Sequence, residues 1–116
     1  MFTDGVHHVS INVDDVEVVR DFYVRALGFE PIDRPDLGVG GAWLQMGPQQ
    51  LHLIELPLVE GFGPHFALRV DDIEAARDLL GERGVTVGET SSIDGVCLQA
   101  FFNDPAGNQI ELNQPL

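Results

Sequence analysis

Residues 6–13 alternate between apolar and polar. Val6, Val9, Ile11 and Val13 form the apolar set, and His8, Ser10 and Asn12 the polar one, which predicts a half-buried strand. Val16, Val19, Phe22, Tyr23, Ala26 and Leu27 then recur at helical spacing, the apolar stripe of an amphipathic helix. Asp14 reads as its N-cap, with Glu17 at the capping-box position, and Gly28 as its stop. Three further strands are predicted at 29–33, 39–46 and 50–56, with Gly38, Gly40, Gly41, Gly47 and Pro48 marking their turns. The order then repeats. A strand over 64–70 leads to a helix capped by Asp71 with Glu74 and running to about Arg83, where Gly84 stops it. Strands follow near 85–88, 95–102 and 107–113, the last two joined by the turn residues Asn103 to Gly107.

The repetition is also literal. His8-Val-Ser-Ile-Asn-Val-Asp-Asp-Val-Glu-Val-Val-Arg-Asp21 returns 57 residues later as His65-Phe-Ala-Leu-Arg-Val-Asp-Asp-Ile-Glu-Ala-Ala-Arg-Asp78, with seven of fourteen positions identical. Each copy then reaches an Ile-Glu-Leu, with Glu55 47 residues after His8 and Glu111 46 residues after His65. Residues 1–116 are read as one domain made of two βαβββ modules, 6–56 and 64–113, joined by a linker at 57–63. The expected fold class is α+β, with curved mixed sheets around an open cleft and the helices on the outer face. The two half-size modules are not expected to fold apart.

Strand parity assigns faces. If Val9, Ile11 and Val13 pack under the helix, His8, Ser10 and Asn12 point to the other side. In the second copy His65, Ala67 and Arg69 share that side. With Ile54, Leu56, Ile110 and Leu112 packed, Glu55 and Glu111 face it too. His52 then has the parity of Ile54 and reads as structural, and His7 reads as a strand-entry residue on the helix side. Two imidazoles and two carboxylates, His8, Glu55, His65 and Glu111, are a plausible ligand set for a divalent transition metal. Trp43, Gln45, Gln99 and Phe101 fall on the cleft parity and would line a pocket of the kind that takes a small molecule. Cys97 shares it as a buried inert thiol. Arg69 is a candidate anchor for a substrate carboxylate.

Composition narrows the field. The formal charge is −13, and the six cations are all arginine. The absence of lysine removes Schiff-base chemistry. An acidic surface argues against nucleic acid and anionic membrane as partners. A single cysteine, Cys97, allows no internal disulfide, which suits a reducing cytoplasm. No charged-then-apolar leader opens the chain, and no apolar run approaches a membrane span.

One resemblance covers Val6 to Leu112. His-x-x-x-x-Val-Asp-Asp leads to Phe-Tyr-x-x-x-Leu-Gly-Phe, a second such strand and helix follows, and Asp-Pro-x-Gly-Asn-x-Ile-Glu-Leu closes the pattern. This resembles the vicinal oxygen chelate superfamily, which includes glyoxalase I, methylmalonyl-CoA epimerase, extradiol dioxygenases, fosfomycin-resistance transferases and bleomycin-binding proteins. The glyoxalase I ligands match His8, Glu55, His65 and Glu111. The fosfomycin branch matches His8, His65 and Glu111, with Ser10 at a hydroxyl position, but its cleft tyrosine is Phe101 here and its lysine has no counterpart. Asn12 stands where some bacterial members carry an arginine.

The resemblance implies a metal-dependent lyase or isomerase. Nickel, zinc, cobalt, manganese or iron would bind two oxygens of a small-molecule substrate and stabilise an enediolate. Glu55 or Glu111 would act as general base. The alternatives it leaves open are a metal-free binding or drug-sequestering protein of the bleomycin-resistance kind, and an iron-dependent dioxygenase. It also implies a homodimer with sites shared between two chains, because the linker of about seven residues reaches roughly 25 Å when extended.

Overall fold

Val13, Leu44, Leu51 and Leu53 are fully buried, and the way they reach one face of a sheet explains the first half of the fold. The structure, a computed structural model, describes residues 2–61 and 63–116. Phe62, within the expected linker, lies outside the described residues. The chain divides into two units, Met1–Val59 and Glu60–Leu116.

The first unit runs β1 (His8–Val13), α1 (Val16–Arg25), β2 (Glu30–Ile32), β3 (Gly41–Met46) and β4 (Gln49–Glu55). Its sheet has the order β1-β4-β3-β2. β1 and β4 are parallel, and the other neighbours are antiparallel. Parallel strands cannot be joined by a tight turn, so helix, β2 and β3 together form the crossover. The apolar parity of β1, β3 and β4 faces α1, whose Val19 and Tyr23 are buried in return.

The second unit repeats the scheme with β5 (His65–Arg69), α2 (Ile73–Glu82), β6 (Ser91–Ile93), β7 (Cys97–Asn103) and β8 (Gln109–Pro115). The order is β5-β8-β7-β6, with β5 and β8 parallel. Ile73 and Leu80 of α2 are buried with Ala100, Phe102, Ile110 and Leu112 of the sheet. Each unit is therefore the βαβββ module read from the pattern, in an α+β fold of two four-stranded mixed sheets.

Local details differ from the sequence reading. The helices are capped one residue later than expected. Asp15 Oδ1 accepts from Val18 N at 3.2 Å and Asp72 Oδ1 from Ala75 N at 3.1 Å. Asp14 instead turns its carboxylate to the backbone N–H of Asp15. Gly28 and Gly84 follow the helices at φ +74 and +82, the left-handed conformation that ends a helix cleanly. The strand expected near 85–88 is absent. Val85 is spent on packing and takes a backbone bond from its N–H to Leu80 O. The edge strand forms instead at Ser91–Ile93, exposed along its length.

Candidate metal-binding faces

The register of each parallel pair decides which side chains meet. In the first unit His8 lies opposite Gln50, Ser10 opposite His52, and Asn12 opposite Ile54. Across β3 and β4, Trp43 faces His52. These residues occupy the sheet face away from α1. His52 stacks on His8 with ring centroids 4.0 Å apart and on Trp43 at 4.4 Å. Three aromatic rings thus run in a ladder across three strands. The sequence reading of His52 as a helix-side residue is overturned by this register.

Glu55 is overturned with it. It lies opposite Val13, on the parity of Leu51 and Leu53, because side chains alternate with a period of two. A Cβ built on Gly40 would collide with its Oε2, so the carboxylate rests over Gly40, away from His8. The Ile-Glu-Leu echo misled because the two copies differ in length between their strands. In the second unit His65 lies opposite Gln109 and Ala67 opposite Glu111. The position equivalent to Glu111 is therefore His52, not Glu55. Expected packing residue Leu56 lies beyond β4 and is 45% exposed.

The ring nitrogens in the first unit are only partly engaged. His52 Nε2 lies 2.9 Å from Gln50 Oε1. An amide oxygen only accepts, so Nε2 carries the proton and Nδ1 keeps its lone pair. His8 Nδ1 lies 2.9 Å from His7 Nδ1, which leaves His8 Nε2 free among the described residues. Burial, and then the neighbouring His8, His7 and Arg34, hold the His52 imidazole below the usual histidine range. It is therefore a neutral ring at physiological pH, the form that donates to metals.

In the second unit His65 Nδ1 sits 2.7 Å from Gly63 O, and Nε2 sits 3.2 Å from Glu111 Oε1. The other carboxylate oxygen, Oε2, accepts from Asn113 Nδ2 at 2.7 Å. Glu111 is buried. Phe101 lies opposite it and meets His65 edge-on at 5.9 Å. Both nitrogens of His65 face oxygen acceptors. A neutral ring that donates from Nδ1 to the carbonyl must aim its Nε2 lone pair at a carboxylate, which is repulsive. A proton or a cation at that point removes the conflict. An imidazole fixed by a backbone carbonyl, next to a carboxylate fixed by an amide, is the outer support that metal ligands ordinarily have.

The donor chemistry thus fits a divalent transition metal: His65 with Glu111 in the second unit, and one imidazole in the first, because His8 and His52 stack with their planes 15° apart and cannot aim their in-plane lone pairs at one ion. Among the described residues no group of three or more His, Cys, Asp or Glu is arranged as a metal site.

The remaining expected site residues are placed as follows. Ser10 is exposed beside His52. Asn12 spends its amide on Pro57 O at 2.9 Å, tying down the segment that follows β4. Gln45 gives its amide protons to Gly47 O and Gln49 O, so it braces the β3–β4 turn. Arg69 is exposed on the His65 face, opposite Asn113. Gln99 lies half-buried between Ser91 and Asn113 on that face. Cys97 is buried, as expected. His7 does not enter the helix side but packs edge-on against His8. Gln50, His52, Asn113 and Arg34 were missed. The first three each sit two residues from another face-lining residue, a spacing visible in the sequence once the register is right.

Two βαβββ units, each a four-stranded mixed sheet backed by one helix, define the vicinal oxygen chelate architecture. Residues 5–112 match the family described as Glyoxalase/Bleomycin resistance protein/Dioxygenase superfamily, and the chain belongs to it. It is 30% identical over 120 residues to "Glyoxylase I 4" of Arabidopsis thaliana, covering 93% of this chain and 69% of that protein. It is 35% identical over 98 residues to an ethylmalonyl-CoA/methylmalonyl-CoA epimerase of Cereibacter sphaeroides, covering 71% of this chain and 72% of that one. Among solved structures, TnmS3, an antibiotic binding protein from Streptomyces sp. CB03234, is 32% identical and superposes with a TM-score of 0.78 over 100% of this chain and 99% of that one. No helix among the described residues is long and apolar enough to cross a membrane.

Proposed function

We propose that this chain is a metal-dependent enzyme of the glyoxalase type, a lyase or isomerase acting on a small oxygen-chelating substrate. One observation carries the reading: His65 is held through Nδ1 by Gly63 O while its Nε2 and the buried Glu111 face each other at 3.2 Å. His8 or His52 is the donor of the first unit, and His65 and Glu111 those of the second. Nickel, zinc, cobalt, manganese and iron all accept such ligands. A divalent ion held there would act as a Lewis acid on two neighbouring substrate oxygens. Glu111 accepts the substrate proton, and the Asn113 amide holds its carboxylate in line. Glu55 has no part in this scheme. The working unit is a homodimer in the cytoplasm, and its partner molecule is the substrate rather than nucleic acid or membrane.

The second reading is a metal-free binding protein. It is favoured by the likeness to TnmS3 and by the Trp43–His52–His8 ladder, a flat aromatic surface of the kind on which a planar ligand stacks. The two readings separate on metal content. Tag-free protein, supplemented in turn with each of the five ions and then desalted, should retain one ion per site. His65→Ala and Glu111→Gln should lose it while keeping their circular dichroism. Substoichiometric metal throughout would favour the binder. For an active enzyme, a screen of 2-oxoaldehyde conjugates and acyl-CoA epimers would identify the substrate class, and Glu111→Gln should abolish turnover.

A further inference from the structure

Arg34 follows β2 and folds back over β3. A Cβ built on Gly41 would lie 2.9 Å from both Cζ and Nη2 of Arg34, so the guanidinium rests on the one position of that strand with no side chain. Gly41 has the parity of Trp43 and lies opposite Ile54, two residues on from His52. Arg34 therefore lies over the β3–β4 pair at the strand that carries Trp43 of the ladder, near enough for its charge to act on the His52 imidazole.

Its hydrogen bonding is largely unused. Nη2 donates to Val39 O at 2.9 Å. Nε is covered by protein and has no partner, as is Nε of Arg77; the nitrogen left for a ligand is Nη1, which meets no partner among the described residues. Among the described residues no carboxylate pairs with it, although the chain carries 19 acidic residues and other arginines do find one: Arg25 pairs with Asp21 and Arg77 with Glu74. A half-buried guanidinium left without a counter-ion in so acidic a chain is a built receptor for an oxyanion, since its planar fork matches a carboxylate or phosphate.

We infer that Arg34 binds the anionic group of the substrate, a carboxylate or a phosphate, and fixes its orientation beside His52. The inference rests on the face that carries His52 being the ligand-binding face. It needs no bound metal, so it can be tested apart from the metal reading.

The experiment uses chelator-treated full chain at constant ionic strength and pH 7.5. Sodium acetate, inorganic phosphate and neutral acetamide are titrated in turn while the arginine Nε–H and Trp43 indole N–H resonances are followed. The Nε–H signal of Arg34 is assigned by its absence from Arg34→Lys. Acetate or phosphate should shift both signals saturably, and the tighter of the two names the substrate's anionic group. Arg34→Gln should weaken that binding roughly tenfold or more, the loss of a charge-assisted hydrogen bond. Arg34→Lys should fall between, and Arg25→Gln, on the exposed side of α1, should match wild type. Failure of both anions to bind wild type overturns the inference. So does equal binding of acetamide, or unchanged affinity in folded Arg34→Gln. Anion binding without stoichiometric metal would remove only the metal reading. Stoichiometric metal with anions indifferent to Arg34 would remove only this one.

Discussion

His52→Ala tests the register most sharply. The ring is buried, stacked on both sides and bonded to Gln50. Each ring stack contributes about 0.5–1.5 kcal/mol beyond burial, and the Gln50 bond a further ~1 kcal/mol. Truncation should therefore cost about 2–4 kcal/mol. At roughly 3–6 °C per kcal/mol for a chain of this size, the midpoint should fall by about 10 °C. Thermal unfolding by circular dichroism in excess chelator measures this without any contribution from metal. A second arm uses pH. The folded-state imidazole titrates below the ordinary value of 6.5, so on acidification the unfolded chain takes up this proton first. The stability tied to neutral His52 is complete above about 6.5 and is lost as pH falls from there through the folded value. The gap between wild type and His52→Ala should therefore shrink across that window. A loss under about 1 kcal/mol, with a gap that does not change with pH, would refute the stacked placement.

Three further outcomes follow from the same geometry. Glu55→Gln should leave metal content unchanged and stability within about 0.5 kcal/mol, as for any exposed residue away from a site; equilibrium dialysis and melting check both. Asp72→Ala should cost about 1 kcal/mol by removing the α2 cap, and Asp71→Ala much less, in chemical denaturation. If the proposed homodimer shares its sites between chains, as the resemblance implies, co-refolding a His8→Ala chain with a His65→Ala chain should restore part of the metal binding, because a mixed dimer keeps one intact site. Mixed dimers that form but bind nothing would assign each site to one chain.

Most of the fold could be read because the alternation of Val9, Ile11 and Val13 and the stripe from Val16 to Leu27 each serve one face only. The meeting of His65 and Glu111 could be read for the same reason, since Ile110 and Leu112 bracket Glu111 and leave it one way to point. The first unit misled because Leu51-His-Leu53 and Ile54-Glu-Leu56 both offer a polar residue between two apolar ones. Only pairing with β1 and β3 decides between them, and pairing is not local. The caps were off by one because either aspartate of an Asp-Asp pair can serve, and backbone dihedrals choose. Arg34 was invisible for another reason: its place depends on the missing side chain of Gly41, across the loop between β2 and β3.

In both units the candidate donors sit on parallel neighbours, His8 and His52 44 positions apart and His65 and Glu111 46 apart. Nothing local brings them together. The helix must form, the two antiparallel strands must pair, and the crossover must close before either pair exists. Such long closures are the slow part of folding. The unfolded chain therefore has no preformed chelating pair, and any ion bound through these residues stabilises only the native state, by an amount set by its concentration over its dissociation constant. Ligand occupancy then reports on conformational integrity, and a break anywhere in the crossover should erase it even when every donor residue is still present.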